Sequence, residues 1–403
     1  MSLAFREARE ADLDRLVEIH QSAFPDERAA SERRRNFAHN PLGGGRGLEH
    51  LLVAEQGSRI VAHGFLFPLE AWFGGLRVRV GGIASLGVAP EARGAGAGRA
   101  LLAAMHARAS ERGDAITLLY PFRRGFYARD GYAPVSSYRA LELCPRAIPR
   151  AWADPALGQP RPAGGDDRLA LVRIHEQEGL RHSGWLARPD ALWEKRLLDE
   201  RRSWFVLDRG DRAVGYIGWK LAQTEPHARI SLIVDELAAC DDDARRRLLA
   251  LAAAQADQVA VIELDVADDD PLPLALVDPD RDRGGTLRIE HGLGTLVAGP
   301  LVRMLDVRRA ILARGFAGEG GVDLELPGEA IHLAIQNGRA RVLAPQGGGR
   351  LRLDAAALGS LLYGAVAPSQ GARLGWVTAD DPRTLALADA LFALPAFFSQ
   401  DPF

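Results

Sequence analysis

Residues 82 to 102 read GIASLGVAPEARGAGAGRALL: a strand-like run, a Val-Ala-Pro exit, then Arg93-Gly94-Ala95-Gly96-Ala97-Gly98-Arg99 opening a helix. A backbone so nearly free of side chains can wrap closely round an anion, and the N–H groups and dipole of the helix start favour phosphate, with pyrophosphate the natural guest. A P-loop would need Lys-Ser or Lys-Thr after the last glycine, where Arg99-Ala100 stands. A dinucleotide fingerprint would need G-x-G-x-x-G within an alternating βαβ series. Here the spacing is G-x-G-x-G, and the preceding strands read as antiparallel pairs. Two other glycine runs, 43 to 47 and 347 to 349, lack a strand-to-helix setting.

The surrounding pattern is a strand at 3 to 7, a helix at 11 to 24, strands at 50 to 55, 59 to 67, 69 to 73 and 76 to 88, the loop, a helix at 100 to 112 and a strand at 115 to 120. That order predicts an α+β sandwich. A Pro/Gly-rich stretch, Pro145 to Gly165, makes the first break. From about Asp166 to Glu290 the same element order returns: a helix with Leu169, Val172, Arg173 and His175, strands at 203 to 207, 213 to 221 and 229 to 237, a helix at 241 to 257 and a strand at 259 to 266. No Gly-rich loop lies between its third strand and its helix, as in a duplicated domain that has lost its anion site. Near Pro300 the pattern changes to a helix at 302 to 314, a three-stranded meander turning at Pro327-Gly328 and Asn337-Gly338, and two further helices.

With 403 residues, 26% of them charged and a net charge of -3, the chain has the balance of an ordinary multi-domain globular protein, without the basic field of a nucleic-acid binder. Lys195 and Lys220 are the only lysines, and Cys144 and Cys240 have no metal-ligand spacing. A metal is therefore not expected, and two isolated cysteines suit a reducing compartment. The amino terminus lacks an apolar signal core and no run approaches a membrane span, so a cytoplasmic protein with no membrane partner is expected.

An Arg93-x-x-Gly96-x-Gly98 loop after a strand ending Val-Ala-Pro resembles the acetyl-CoA loop of the GCN5-related N-acetyltransferases. The resemblance implies that Arg93, Gly94, Ala95, Gly96, Ala97, Gly98 and Arg99 hold the CoA pyrophosphate. It also implies that the backbone of Leu86, Gly87 and Val88 receives the pantetheine arm, with Phe122 and Arg123 as further cofactor contacts. Phe126-Tyr127-Ala128-Arg129-Asp130-Gly131-Tyr132 resembles the segment that supplies a tyrosine near the CoA sulfur, which makes Tyr127 the candidate acid and leaves Tyr132 to the core. The order of these motifs, with ALWEKRLLD at 191 to 199 and LVRMLDV at 301 to 307, is similar to that of the Eis (enhanced intracellular survival) acetyltransferases.

That resemblance implies three parts: an N-acetyltransferase domain over 1–145, a second, degenerate one over 146–295, and a sterol-carrier-protein-like layer over 296–403 whose end completes the active site. It implies acetyl transfer by direct attack onto primary amines of cationic substrates, aminoglycosides or polyamine-like molecules, and a hexameric assembly. It assigns the general base to the terminal carboxylate of Phe403, in the segment FFSQDPF. Beside it, Asp401, Asp26 and Glu27 read either as further negative groups for the substrate or as solvated surface acids. Two alternatives remain open. One is a lipid or sterol binder acting through an apolar tunnel lined by Leu324, Leu326, Ile331, Leu333 and Ile335; the other is a silent acyl-CoA sensor.

Overall fold

A computed structural model describes residues 3–223, 229–277 and 292–403. The expected end of the second segment, Glu290, lies outside them. Three sheets organise the chain. In the first, strands run in the order 3–7, 51–56, 59–73, 76–88, 116–119, 301–304 and 133–134, with the short strand 185–186 on the flank of 59–73. Residues 59–73 form one continuous strand rather than the two expected, because its apolar positions are buried on both faces through the middle of its length.

Each of the first two sheets contains one parallel pair bridged by a helix. In the first, Val80–Ile83 pairs with Ile116–Leu119 across helix Ala97–Arg112. In the second, Ser231–Val234 pairs with Val261–Leu264 across helix Asp242–Ala253. The duplication expected from the element order is thus visible as a repeated βαβ unit.

The sheets divide the chain differently from the expected segments. Strand Ser137–Leu143, placed by sequence in the first domain, pairs with Ile262–Ala267 and with Gly294–Ala298 in the second sheet. Strand Leu301–Met304 crosses the other way and pairs with Ile116–Leu119. The two halves therefore exchange a strand, and a boundary at 145 cuts through the second sheet. The same exchange corrects the expected helix at 302 to 314: residues 301–304 are strand, and the helix is Val307–Ala313, capped by Asp306 through Arg309 N.

Helix Arg168–Gly179 opens the second segment's repeat. Leu169 is exposed, and the buried face is Leu171, Ile174, His175 and Glu178. In the third sheet the meander 320–326, 329–336 and 339–343 forms as expected, with Asn337 and Gly338 both at positive φ in its second turn. Leu324, Leu326, Ile331, Leu333 and Ile335 are closed into the same core cluster as the first domain. Tyr363 helps join the two, edge-on to Phe73 with centroids 4.8 Å apart, its hydroxyl donating to Ala310 O.

The last eight residues do not fray. Ala396 N donates to Asp269, Phe398 N to Ser183 O, and Phe397 and Phe398 are buried. Asp401 is buried with both oxygens committed: Arg188 Nε lies 2.7 Å from Oδ2 and Arg196 Nη2 2.5 Å from Oδ1. The same two arginines grip Glu236 of the second sheet, Arg196 at 2.9 Å. Burial alone would raise the pKa of Asp401 and Glu236, but the fields of Arg188 and Arg196 outweigh it and hold both carboxyls below their ordinary values. Groups held low contribute stability that is full above the unfolded carboxylate range and is lost as pH falls below about 4. Asp401→Asn should cost about 3 kcal/mol by leaving two arginines short of charge. It should also make the acid loss of stability shallower; thermal unfolding at neutral and acid pH checks both.

Candidate active site

The first sheet opens where its parallel pair ends. Ile83 is the last residue of strand 76–88 paired with strand 116–119, and residues 84–88 continue with no partner on that side. Opposite, strand 59–73 spends only Gly64 on Ser85 and Leu86, a bulge in which Ser85 takes φ +50°. Leu86, Gly87 and Val88 therefore lie along a gap between diverging strands, with one edge of their backbone unpaired among the described residues.

Beyond the gap the chain makes the turn Pro90–Ala92 and enters the loop. Gly94 and Gly96 take φ of +80° and +86°, conformations that a side chain would strain. Gly96 caps the helix without a side-chain partner, so the first N–H groups, on Ala97, Gly98 and Arg99, are open to an outside acceptor. A Cβ on Gly98 would lie 2.9 Å from Val88 Cγ2, so glycine is what lets the helix start close on the strand. Arg93 braces this loop: Nη2 bonds Ser22 O and Oγ at 3.0 Å and Nε bonds Val88 O. Arg99 pairs with Asp130 at 2.8 Å. A glycine cradle, free N–H groups and an open strand edge together fit a pyrophosphate joined to an extended amide-bearing arm.

The second domain repeats the frame and reverses the electrostatics. Its helix begins at Asp242, with Asp241 as N-cap accepting from Ala244 N, and Asp243 in the same first turn. Those carboxylates stand where phosphate would have to sit.

Tyr127 is buried beside Phe122, Phe126 and Tyr132, with ring centroids 5.0 to 5.8 Å away. Its hydroxyl makes no hydrogen bond to any described residue, and burial pushes its pKa up to about 12. Tyr132 is a satisfied core residue, bonded to His106 Nε2 and Thr117 Oγ1 at 2.9 Å each. Phe122 is 68% exposed at the rim, with Arg123 over its ring.

The tail reaches this region from the other side. The Phe403 ring stands edge-on to Tyr120, centroids 5.5 Å apart, and its Cδ2 lies 3.3 Å from where a Cβ on Gly82 would be. It therefore packs at the fork itself, against one residue from each diverging strand. The ring contact is to Tyr120; Tyr127 lies among the aromatic residues of the segment that follows.

Of the three acids expected to face a substrate, Asp26 is paired with Arg28 and Arg33, held down to about 2 chiefly by Arg28. Glu27 is exposed. Asp401 is not a free negative group, because both of its oxygens are spent on arginines. The acidic surface lies elsewhere. A cleft of about 350 Å³ opens beside Tyr120 between the tail and the second sheet. On its wall Glu263 stands directly opposite Glu142 across an antiparallel pair, and Asp265 follows two residues on. Burial, then Glu263, raises the Asp265 pKa. Sequence reading passed over these acids although VIELDVA carries the signal: two acids two residues apart, on one face of an otherwise buried strand.

Residues 4–135 match the Acetyltransferase (GNAT) domain family, 184–289 match a second family of that description, and 309–398 match the Sterol carrier protein domain. The N-acetyltransferase Eis of Mycobacterium bovis is 30% identical over 368 residues, covering 84% of this chain and 85% of that protein. Its namesake in Mycobacterium tuberculosis is 30% identical over 77% of each. Among solved structures, a GCN5-related N-acetyltransferase from Anabaena variabilis aligns over the whole of both chains with a TM-score of 0.84 at 23% identity. Eis1 from Mycobacterium abscessus does so with 0.78 at 24%. If the glycine cradle is the anion site, Gly98→Val should weaken CoA binding by at least about tenfold, ~1.4 kcal/mol. Titration calorimetry with CoA, beside an unchanged far-ultraviolet circular dichroism spectrum, checks this.

Proposed function

The chain belongs to the Eis family of N-acetyltransferases, and on that footing we propose that it transfers acetyl from acetyl-CoA to a primary amine of an aminoglycoside or polyamine-like cation. The observation that carries this reading is the fork between strands 76–88 and 116–119, with a glycine-lined helix start at one end and the Phe403 ring at the other. Acetyl-CoA supplies the acetyl thioester, and the amine attacks its carbonyl carbon. A backbone N–H on 86–88 stabilises the oxyanion that forms. The C–S bond then breaks, and the departing sulfur takes up the proton of Tyr127.

At about 12, the Tyr127 pKa keeps the phenol protonated throughout the neutral range. Against a thiol near 8.5 that transfer is uphill by roughly 3 to 4 units, ~5 kcal/mol. The hydroxyl therefore acts first as a hydrogen-bond donor to sulfur as charge develops, and gives up its proton late. On the amine side we assign the terminal carboxylate of Phe403 as the base. A terminal carboxylate near 3.5 facing an ammonium near 10 is mismatched by about 6 units, 8 to 9 kcal/mol. Its work is thus to orient the ammonium and pass the proton on through water. The acceptor's other positive charges are supported by the Glu263 and Asp265 wall, where burial and the neighbouring carboxylate already raise the Asp265 pKa.

A thiol-release assay with acetyl-CoA against aminoglycosides, polyamines, peptides and lysine tests the reading. Turnover should rise with the number of acceptor charges, and CoA binding without turnover on any of them would sink it in favour of a silent sensor. Tyr127→Phe should lower kcat about 100-fold with acetyl-CoA affinity unchanged. Two glycines appended after Phe403 should lower kcat without altering CoA binding. Equal rates in either variant would remove that residue from the mechanism.

A further inference from the structure

The gap that opens in the first sheet also opens in the second. Val234 and Leu264 are the last parallel pair, and strand 230–239 carries its own bulge, where Asp235 falls between Gly218↔Glu236 and Trp219↔Val234. Counting three residues past the last parallel pair gives Leu86 in the first domain and Leu237 in the second. At Leu86 the cofactor reading expects an amide-bearing arm. At Leu237 the slot is filled by the chain itself: Gln400 Oε1 accepts from Leu237 N at 3.3 Å and Gln400 Nε2 donates to Leu237 O at 3.1 Å. The primary amide satisfies both backbone groups of one residue on a splayed strand, groups that would otherwise be open to the amides of an extended ligand.

The surroundings agree. Phe398 and Gln400 line both the 350 Å³ cleft and a second cleft of about 160 Å³, so the tail runs between two open remnants of one groove. Arg196 Nη2 holds the Gln400 carbonyl at 3.0 Å, and Arg188 and Arg196 fix Asp401 immediately after it. Two residues further on, Phe403 meets Tyr120 and Gly82 of the first domain.

We infer that the silent domain's cofactor slot has passed to the chain's own tail, and that Gln400, seated on the Leu237 backbone, is a positioning residue that sets where Phe403 meets the first domain's fork. The slot is then a working part of the transferase: it indexes the tail by amide pairing while the arginines lock it by charge. This inference rests on the proposed role of the Phe403 carboxylate for its effect on rate, though not for its effect on the tail.

Gln400→Ala deletes both bonds and leaves the aromatic anchors and the ion pairs in place. Deuterium uptake at 396–403 and 234–239 should rise, and kcat should fall about tenfold, with the acetyl-CoA KM within about twofold. In a chain lacking Phe403, Gln400→Ala should change kcat no further, since its effect passes through that residue. Unchanged uptake at 396–403 overturns the slot, and so does an equal loss of kcat with and without Phe403. Should removal of Phe403 alone leave kcat intact, the terminal-carboxylate reading falls, while the uptake measurement still decides who holds the tail.

Discussion

Arg188 has no exposed side-chain surface and is matched by charge on two sides, and the arrangement of this molecule turns on that match. One partner is Glu236 of the second sheet and the other is Asp401, two residues before the last. Separating either carboxylate from Arg188 would leave charge stranded in a dry interior, a loss of several kcal/mol. The second domain and the tail are therefore joined by the same cation, which also lies 4.7 Å from the Trp193 ring centroid. Tyr216, donating to Glu236 at 2.6 Å, and His175, bonded to Tyr216 and to Leu186 O, extend the network under that junction. Because the tail then arrives at Tyr120 and Gly82, a charge balance deep in one domain sets the edge of a cleft in another.

The strand exchange works to the same end. Strand 137–143 lies in the second sheet and strand 301–304 in the first, so neither sheet is complete without the other's segment. Relative movement of the two domains would have to break ladder hydrogen bonds, not merely slide a surface. A site assembled from a strand fork in one half and an acidic wall in the other needs that stiffness, since catalysis by orientation is sensitive to displacements of about 1 Å.

What was legible in the sequence was what backbone geometry demands locally. Gly96 and Gly98 could be read because a positive φ and a close strand contact each exclude a side chain, and those exclusions are written in the residue type itself. Tyr132 and Tyr127 were separable by motif, and their environments differ, one phenol doubly bonded and the other without a hydrogen-bond partner among the described residues. Asp401 was misread because nothing within a few residues distinguishes a solvated acid from one between two arginines 205 and 213 positions away. The buried positions of helix 168–179 were legible only in part: His175 is buried, but Leu169 is exposed and Leu171 and Ile174 lie inward. Residues 302–304 read as helix because the apolar run is short, and their strand partner lies some 180 positions earlier in sequence.

The duplicated frame explains why one domain could fall silent without becoming idle. A strand that splays to admit a ligand leaves backbone N–H and C=O groups that must be satisfied by something, because a buried unpaired peptide group costs about 1 to 3 kcal/mol. In the first domain the glycine loop and free helix start make an anion-tipped ligand the natural occupant. Replacing that loop with Asp241, Asp242 and Asp243 removes the ligand but not the unsatisfied strand. The Gln400 amide settles the debt at Leu237, and once a tail residue does so the following residues are held at fixed distance from the neighbouring fork. Loss of cofactor binding in one copy and recruitment of the tail to the other copy's site are thus two sides of the same hydrogen-bonding requirement.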